Sequence, residues 1–530
     1  MKILAYHIQG DTIVNSDGEY TKDEYIDFLL ASKPQTIRVL YHLDYFVARL
    51  LKLIGITKEL AQVLSEETEV KFGQYLFKYY DGKFFSIEKG SYFVNFSDIS
   101  QYIDGYELSD NDDPQVVADN AKLIGDQVYE SLLNLGLNPK SLTSPLNVYE
   151  KEVLSKMDLQ REEELPPPVG KYAYACKHGA WVEAYMLGHF NNTWDFDIKS
   201  CYAYYTSKLI DPRLGTWTRS KSYNPKAYYG YGLAHVEIDA DFSPIIIDGI
   251  ENDYTPCGDA ELYLSKKEVD FIHENDIGKA TINDFVWFTP DRLEYPFERI
   301  INDLYERKEK AKGLNREIIK RCSSTIWGKL LQFEKKGTQF GNLFNSVMGI
   351  DVEVSARLAV ASFAIDMVKK GFSLLHIAVD GVLLADISGV PPSANKIPIE
   401  SGAMGSWALA SYSPAFVVGS GSVAIQKTQK DNPFSLRYDW LMSQIENNPM
   451  ERRYTMEKIT PMTLGKALQK DKDGNDNFDK LGELIKSERV LEVDYELKRE
   501  YGDLPTCGGD LLANVYTSIP RDMIQAMAVE

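Results

Sequence analysis

The chain has 530 residues, of which 44% are hydrophobic and 26% are charged, so it is long enough for several domains with separate cores. No apolar run reaches the ~18 residues that a membrane-spanning helix needs, and the first ten residues lack the apolar core of a signal peptide. The five cysteines include no Cys-x-x-Cys pair, which argues against structural zinc and for a reducing compartment. We therefore expect a cytoplasmic protein with no membrane association.

The net charge of −20 opposes binding to nucleic acid, because such binding depends on neutralising phosphates. The charge is unevenly distributed, however, and residues 305–336 contain ten Lys or Arg and four Glu, a local excess of +6. A local basic stretch can bind an anion while the rest of the surface repels it. Most such stretches are the solvated face of a helix, so the residues within the stretch have to decide between the two interpretations.

The first 140 residues predict a mixed unit of strands and amphipathic helices. Strands are predicted at Lys2–Ile8, Thr12–Val14 and Thr36–Tyr41, and helices at Tyr45–Leu53 and Val116–Leu135. Three consecutive prolines, residues 166–168, follow an acidic stretch and indicate a linker or a domain boundary.

The remaining chain predicts sheet first and helices later. Residues 172–197 are rich in aromatic and β-branched side chains, which indicates strands, and further strands are predicted at Ala234–Ile238 and Pro244–Ile247. Helical periodicity predicts five helices, at Ser265–Glu274, Pro296–Lys312, Asn315–Leu331, Val352–Lys370 and Asp439–Asn447.

Three short segments, far apart in the sequence, carry the residues that point to chemistry. They are Asp197–Tyr202 (DIKSCY), Lys320–Gly328 (KRCSSTIWG) and His376–Val382 (HIAVDGV). Phosphoryl transfer needs carboxylates to hold divalent metals and cations to hold a triphosphate. The order of the segments, with a basic helical hairpin between the first two, predicts the metal centre of a template-copying polymerase.

Asp380 and Gly381 lie between two apolar runs, Leu374–Val379 and Val382–Ala385. Asp-Gly suits the two-residue loop of a β-hairpin, and considered alone the pair indicates only a turn. A carboxylate at the tip of a tight hairpin is also held rigidly enough to bind a metal, so Asp380 is a candidate ligand.

Asp195 and Asp197 end an aromatic strand, and strand alternation places both on one face. Either could be a metal ligand, although two solvent-facing acids at a strand end would give the same pattern. Tyr202 follows closely enough to form a wall of a nucleotide pocket, and a tyrosine there is equally compatible with core packing.

The basic stretch is predicted to form two antiparallel helices, separated by Gly313-Leu314. Lys308 and Lys312 would then lie near Arg316 and Lys320 around the tip. On the second helix the spacing places Arg316, Lys320, Ser324 and Trp327 on one face. Such a face could bind phosphates and stack on a base pair.

These motifs resemble those of the family B DNA polymerases, and among them the small phage-type and protein-primed members. The family's D-x-x-S-L-Y matches Asp197, Ser200 and Tyr202; its K-x-x-x-N-S-x-Y-G matches Lys320 and Gly328, with Trp327 for tyrosine. Its Y-x-D-T-D-S is retained as Asp380, with His376 for tyrosine and Ala378 for the first aspartate. The resemblance extends from about residue 172 to residue 426 and more loosely beyond.

The resemblance implies a DNA-directed DNA polymerase that transfers nucleotides from dNTPs to a primer 3′-hydroxyl. Asp197, Asp380 and the backbone carbonyl of Ile198 would hold two Mg²⁺ ions, with Mn²⁺ as a substitute. Three cations would bind the triphosphate, Tyr202 would be the steric gate against a ribose 2′-hydroxyl, and two residues would stack on the nascent base pair. The cations are Lys320, Arg316 and Lys308, and the stacking residues are Trp327 and Gly328.

Relatives carry an RNase-H-like 3′–5′ exonuclease at the N-terminus, which needs four carboxylates around two metals. Here the matching positions are His7 and Gln9 for two acids, Phe46 for a third, and Asp126 as the one retained acid, with Asp44 as a shifted alternative. A single aspartate cannot hold two metals, so the resemblance predicts a retained scaffold without proofreading. The lysine–tyrosine pair that holds the primer in relatives is also absent from its best match, Gly421–Val423.

The implied fold class is α+β and multidomain: an RNase-H-like N-terminal domain followed by a right-hand polymerase. The predicted domains are an exonuclease-like domain (1–140), connector and palm (141–295), fingers (296–335), palm (336–431) and thumb (432–530). In the thumb, Lys498-Arg499 and the glycine-rich residues 505–509 could approach DNA, or form a plain surface loop.

The expected partners are primer–template DNA and dNTPs, with a priming protein or other replication proteins as further candidates and host cytoplasm as the location if a phage encodes the chain. Two other functions remain open at this point. One is a weakened homologue that binds DNA without copying it, and the other is a metal-dependent nuclease that uses Asp195, Asp197 and Asp380.

Overall fold

The structure is a computed structural model of the whole chain. It describes residues 1–31, 36–102, 113–142, 144–248, 253–334, 339–386, 402–426, 438–448, 451, 453–471, 474–492, 498–501 and 515–522. The predicted DNA contact at residues 505–509 lies outside the described residues. Within them, no helix combines the length and apolarity needed to cross a membrane.

The N-terminal part contains one large sheet with helices on both faces. Its strands are β1 (Lys2–Gln9), β2 (Thr12–Asn15), β3 (Tyr20–Thr21), β4 (Thr36–Leu40), β5 (Glu69–Phe72), β6 (Tyr75–Tyr80), β7 (Phe84–Lys89) and β8 (Tyr92–Asp98). Its helices are α1 (Tyr25–Leu30), α2 (Leu43–Leu53), α3 (Lys58–Glu67), α4 (Pro114–Asn134) and α5 (Pro145–Glu152). The predicted strands and helices of this part are therefore confirmed.

The strand order is β3-β2-β1-β4-β8-β7-β6-β5, in which β1, β4 and β8 are parallel and the remaining pairs are antiparallel. Alternation along β1 explains its nearly continuous apolar sequence, because Ile3 packs in the cluster that includes α4 and Leu4 in the cluster that includes α2. Gly125 of α4 allows this close packing, since a Cβ there would lie 2.9 Å from the side chain of Ile3.

The next part contains the long strand that carries the first motif. Its helices are α6 (Val169–Ala175), α7 (Cys201–Ser207) and α8 (Lys266–Glu274). Its strands are β9 (Val182–Ala184), β10 (Met186–Ile198), β11 (Gly215–Ser220), β12 (Tyr229–Ile238), β13 (Ile247–Asp248), β14 (Asp253–Tyr254), β15 (Gly258–Ser265) and β16 (Gly278–Pro290). The predicted strand at Ala234–Ile238 and the predicted helix at Ser265–Glu274 are confirmed.

Two predictions in this part are only partly correct, although β9 and β10 do lie within the sheet predicted at residues 172–197. Sheet was predicted from residue 172 onward, but Tyr172 lies in α6, because the prolines at 166–168 precede and start a helix. Of the strand predicted at Pro244–Ile247, only Ile247 is in β13. The proline segment is also packed, since Glu162 before it accepts hydrogen bonds from the backbone N–H and hydroxyl of Ser346 at 2.7 and 2.8 Å.

The last part returns to the sheet of β10. Its helices are α9 (Glu298–Lys310), α10 (Gly313–Ser324), α11 (Ile326–Lys329), α12 (Ser346–Lys369), α13 (Tyr438–Asn447) and α14 (Leu464–Ala467). Its strands are β17 (Phe333–Glu334), β18 (Gln339–Phe340), β19 (Ser373–Ala378), β20 (Gly381–Ala385), β21 (Trp407–Gly419), β22 (Ser422–Ile425), β23 (Arg453–Pro461), β24 (Leu484–Glu492), β25 (Arg499–Tyr501) and β26 (Val515–Pro520). The predicted helices that correspond to α9, α12 and α13 are confirmed.

The sheet that positions the motifs has the order β22-β21-β10-β20-β19-β9, with β26 paired to β10 and β25. Its strands are antiparallel in every described pair. Helix α12, which is buried over most of its length, shares a core cluster with the apolar face of β10. A second sheet, β11-β16-β12-β15, contributes residues to the same core cluster. The first and third motifs therefore lie on adjacent strands of one sheet.

Candidate active site

The structure brings Asp197 and Asp380 together at one end of the β10–β20 pair. Asp197 lies directly opposite Gly381, and the backbone N–H of Ile198 donates to the carbonyl oxygen of Asp380 at 3.1 Å. Along β10 the apolar residues Trp194, Phe196 and Ile198 are buried, so the acids at 195 and 197 share the opposite face. Two carboxylates far apart in sequence thus become neighbours through one strand pair.

The loop that presents Asp380 differs by one residue from the predicted Asp-Gly turn. Ala378 pairs with Gly381, so the two loop residues are Val379 and Asp380, and Gly381 begins β20. Val379 has φ 60°, a conformation that is strained for a β-branched residue. Its backbone N–H is held by the carbonyl of Trp181 at 2.8 Å. The aspartate is therefore fixed at the hairpin tip by pairing on both sides of the loop.

The electrostatics of the two acids indicate a place for cations. Burial, then the charges of Asp380 and Asp195, raise the pKa of Asp197 to about 7, while Lys320 acts in the opposite direction. Burial also raises the pKa of Asp380, against a lowering influence of Lys320. Asp197 is nevertheless exposed to solvent. Adjacent carboxylate oxygens that solvent can reach are ligands that Mg²⁺ prefers.

Asp195 is the third acid on this surface. Burial raises its pKa to about 6. Within the described residues, no group of three or more His, Cys, Asp or Glu side chains is arranged to hold a metal ion. The acids that the strand pairing brings side by side at this place are Asp197 and Asp380.

The turn after Asp197 leads directly into helix α7. Ser200 is the N-cap residue with φ 54°, a second position near the acids with strained backbone. The ring of Tyr202, in the first turn of α7, lies parallel to the indole of Trp327, with centroids 4.7 Å apart and 15° between planes. The two aromatic residues predicted at the nucleotide pocket therefore contact each other.

The basic hairpin is present, with two corrections to the prediction. Ala311 and Lys312 connect the helices, and Gly313 and Leu314 are the first residues of α10 rather than a separator. Helix α10 also ends at Ser324, so Trp327 lies on the short helix α11 and not on the face shared by Arg316 and Lys320.

Side-chain hydrogen bonds explain why the helix ends there. The hydroxyls of Ser323 and Ser324 both donate to the carbonyl of Lys320, at 3.0 and 2.8 Å, and that of Thr325 donates to the carbonyl of Arg321. Such bonds compete with backbone pairing and bend or end a helix. Gly328 then closes the following turn through its N–H to the carbonyl of Thr325 at 3.1 Å.

The three cations predicted to bind a triphosphate differ in how accessible they are. Lys320 is exposed and acts on both Asp197 and Asp380. Arg316 is 43% exposed and lies 4.0 Å from both Glu309 and Glu317. Lys308 is only 5% exposed and donates to the hydroxyl of Ser200 at 2.7 Å. Lys308 therefore joins the hairpin to the first motif.

Sequence reasoning missed three residues beside this site: Lys199, Tyr305 and Glu309. The Nζ of Lys199 donates to Glu309 at 3.1 Å and to the carbonyl of Gly402 at 2.9 Å. The hydroxyl of Tyr305 donates to the same carbonyl at 3.0 Å. Lys199 lies inside the first motif and Glu309 beside Lys308, so their positions gave a signal, but the direction of each side chain depends on tertiary packing.

No protein-family model matches the sequence, and no curated protein matches it. Solved structures do match the fold. Phi29 DNA polymerase in an orthorhombic crystal form gives a TM-score of 0.63 at 12% sequence identity, covering 93% of this chain and 100% of that chain. The same polymerase complexed with primer-template DNA and incoming nucleotide substrates gives 0.61 at the same identity and coverage.

The chain has a fold similar to that of Phi29 DNA polymerase. At this sequence identity the similarity concerns the fold alone. It confirms the prediction of an α+β multidomain architecture.

His376, which stands at the tyrosine position of the third motif, is buried on β19. Its Nε2 accepts a hydrogen bond from the backbone N–H of Gly421 at 3.2 Å. Burial, with a contribution from Lys498, lowers the pKa of His376 to about 4, so the ring is neutral at neutral pH. Gly421 lies at the best match to the lysine–tyrosine pair of relatives, and this hydrogen bond from its backbone attaches it to the third motif.

The N-terminal positions assigned to a degenerate exonuclease lie around β1. His7 and Phe46 are buried, Gln9 is at the end of β1, and Asp126 is half-buried and paired with Lys122 at 2.6 Å. Asp44, the alternative acid, accepts at Oδ1 from the hydroxyl of Tyr79 at 2.7 Å and from the N–H of Gly82 at 2.8 Å.

Arg499 does not have the exposure that its suggested DNA contact requires. Its side chain is 1% exposed and its Nη1 lies 2.9 Å from Oε1 of Glu183, which is also buried. Nε donates to the hydroxyl of Ser518 at 2.7 Å, and the guanidinium lies over the ring of Tyr185. The interpretation of Arg499 as a DNA-contacting residue is therefore wrong. Arg499 instead attaches the C-terminal strands to β9.

Proposed function

We propose that this chain is a DNA-directed DNA polymerase of the family B type, which adds nucleotides from dNTPs to a primer 3′-hydroxyl. The observation that carries the proposal is the pairing of β10 with β20, which places Asp197 beside Asp380 and under the influence of Lys320. The similarity to Phi29 DNA polymerase supports it, because that protein is described with primer-template DNA and incoming nucleotides.

Asp197 and Asp380, with the carbonyl of Ile198, would hold two Mg²⁺ ions, or Mn²⁺ in their place. The donors fit, because two adjacent carboxylates of raised pKa gain most from a divalent cation. When bound, such metals supply activation of the primer hydroxyl and charge neutralisation at the leaving pyrophosphate. The chain itself would orient the reacting groups at the rigid end of the β10–β20 pair.

Other residues would hold and select the nucleotide. Lys320, Arg316 and Lys308 would neutralise the triphosphate, and Tyr202 would exclude a ribose 2′-hydroxyl. The nascent base pair would stack against Trp327 and Gly328. Primer–template DNA and dNTPs are the substrates in this proposal, and a priming protein or other replication proteins in the host cytoplasm are candidates as further partners.

The domains would follow the predicted order, from an exonuclease-like unit through palm and fingers to a thumb from residue 432. The strand order β3-β2-β1-β4-β8, with its first three strands antiparallel, supports an RNase-H-like N-terminal unit. His7, Gln9 and Phe46 at the positions of acids, and the pairing of Asp126 with Lys122, support a loss of proofreading.

A gel assay of primer extension tests this proposal. The wild-type chain is offered labelled primer–template with dNTPs or ribonucleotides, with Mg²⁺, Mn²⁺ or EDTA, and template without primer. We expect metal-dependent extension with dNTPs, and a loss of about a thousandfold or more in D197N and in D380N, because neither variant retains both metal-binding acids. D259N, which removes an exposed acid from β15, is the matched control and should extend normally.

Two other outcomes have structural support. Ala378, which stands where the family's motif has its first aspartate, favours a homologue that binds DNA without copying it. That function predicts primer–template binding by the wild type with no extension in either metal. The nearness of Asp195 to Asp197 favours a nuclease, which predicts degradation of labelled DNA without dNTPs and its loss in D195N. Either result would replace the polymerase assignment.

A further inference from the structure

The carboxylate of Glu309, on helix α9, lies among three cationic side chains. Its Oε2 accepts from the Nζ of Lys199 at 3.1 Å. Its Oε1 lies 3.4 Å from the Nζ of Lys308 and 4.0 Å from Nη2 of Arg316. The cations come from the turn after β10, from α9 and from α10, so the carboxylate joins three separate elements.

The cluster is built into the fold and is more than a chance contact between long side chains. Lys199 is also held by the carbonyl of Gly402 at 2.9 Å, and Tyr305 donates to the same carbonyl. The Nζ of Lys308 lies 4.4 Å from the centroid of the Tyr305 ring. Burial opposes ionisation of Glu309, but the hydrogen bond from Lys199 and the charge of Lys308 lower its pKa overall, so it is an anion at neutral pH.

Two of these cations, Lys308 and Arg316, are the ones assigned to the nucleotide triphosphate, so the inference rests on the proposed function. Triphosphate oxygens and a carboxylate compete for the same N–H donors. Lys199 and Arg316 are 27% and 43% exposed, and a ligand can reach them from solvent. Glu309 at 37% exposure can leave the cluster without unfolding helix α9.

We propose that Glu309 is an internal competitor of the incoming nucleotide, and that Lys199 is a further cation of the triphosphate site. In the nucleotide-free chain the Glu309 carboxylate takes the place of a phosphate among Lys199, Lys308 and Arg316. Binding of a triphosphate displaces the carboxylate into solvent. Glu309 therefore weakens nucleotide affinity while keeping the cations in position.

The first test uses inorganic triphosphate with Mg²⁺ as the probe, and calorimetry on the full chain as the measurement. E309Q keeps the shape of the side chain and removes its charge. We expect its Kd for triphosphate to fall about fivefold, the size expected when a partly exposed ionic competitor is removed. E306Q removes a charge from an exposed position of the same helix and should leave Kd near the wild-type value. K199M should raise the Kd for triphosphate, because it removes one of the cations.

The second test is the steady-state rate of primer extension. E309Q should lower KM for dNTPs with little change in kcat, because the competitor acts on binding and not on the chemical step. An unchanged Kd and KM in E309Q, with an unchanged melting temperature, would overturn the inference. A raised Kd with a lowered melting temperature would overturn it too, since Glu309 would then be a structural brace between α9 and the turn after β10.

The two levels of the proposal fail separately. If the wild type binds triphosphate but extends no primer, and E309Q binds triphosphate more tightly, the anion site is supported and the polymerase function is contradicted. If the wild type extends primers and E309Q changes neither Kd for triphosphate nor KM for dNTPs, the polymerase function is supported and the role of Glu309 as a competitor is contradicted.

Discussion

The indole of Trp327 stacks on the phenol ring of Tyr202, 4.7 Å between centroids and 15° from parallel. Tyr202 follows the strand that carries Asp197, and Trp327 follows the basic hairpin, so the stack joins two of the three motifs. With one face of the indole covered by Tyr202, only the other face is available to a base pair. Trp327 therefore supports the ring of Tyr202, the residue proposed as the steric gate.

Replacing Tyr202 with Ala should raise the use of ribonucleotides relative to dNTPs by about tenfold or more, because the ring that would meet a 2′-hydroxyl is gone. W327A should act in the same direction, less strongly, since it leaves the gate unsupported. The measurement is the ratio of kcat/KM for matched rNTP and dNTP pairs. Y202F keeps the ring and should preserve the wild-type ratio, and an unchanged ratio in Y202A would remove the gate role.

Placing an aspartate at 378 should strengthen metal-dependent extension. Ala378 pairs with Gly381 on one side and Val182 on the other, and its side chain is exposed to solvent. A carboxylate therefore fits there without displacing core residues. A378D should raise kcat about tenfold and reduce the Mg²⁺ concentration for half-maximal rate, because a third acid adds to the pair Asp197 and Asp380. A378N, with the same shape and no charge, is the control and should match the wild type.

The sequence predicted the strand that bears Asp197 and the hairpin that bears Asp380, because alternation and the hairpin pattern are local signals. It also predicted that the two acids share one site, although that conclusion came from motif resemblance and not from periodicity. The exact loop at Val379 was missed because a β-branched residue with positive φ is disfavoured locally. The pairing of β19 with β20 and β9, and the hydrogen bond from the N–H of Val379 to the carbonyl of Trp181, hold the loop in place.

Other differences between the sequence predictions and the structure also have physical causes. The sequence pattern predicts a surface position for Arg499, and its burial follows from Glu183, a partner more than three hundred residues away in sequence. The break after Ser324 follows from hydroxyl-to-carbonyl bonds that a helical periodicity does not reveal. The direction of the Glu309 side chain depends on Lys199 from another element. Long-range pairing thus decides the positions of Arg499 and Glu309, and local side-chain bonds decide where α10 ends.

The stability of the N-terminal sheet should depend on pH through Asp44. Burial raises the pKa of Asp44 to about 6, above its ordinary value of 3.8, so the folded state binds this proton more tightly than the unfolded state. Stability from this group is complete below about pH 4 and is lost as the pH rises towards 6. D44N keeps an oxygen acceptor for Tyr79 and Gly82 and removes the buried charge.

We therefore expect D44N to unfold like the wild type at about pH 3.5 and to be more stable by about 1–3 kcal/mol at pH 8. The measurement is the urea unfolding midpoint at both pH values. D126N, at a half-buried acid that is paired with Lys122, is the control and should not be more stable than the wild type at pH 8. A loss of stability in D44N at pH 8 would mean that the charged form is the one that the fold requires.

Arg499 should contribute to stability and not to DNA affinity. In R499M the Glu183 carboxylate keeps its bonds from Trp181 and Thr255 but loses its cation, and an uncompensated buried charge costs about 3–5 kcal/mol. E183Q/R499M removes both charges and should recover a large part of that loss. The thermal midpoints of wild type, R499M and the double variant provide the test, with primer–template affinity measured at a temperature where all three are folded. A normal midpoint in R499M together with weakened DNA binding would return Arg499 to the DNA-contacting surface.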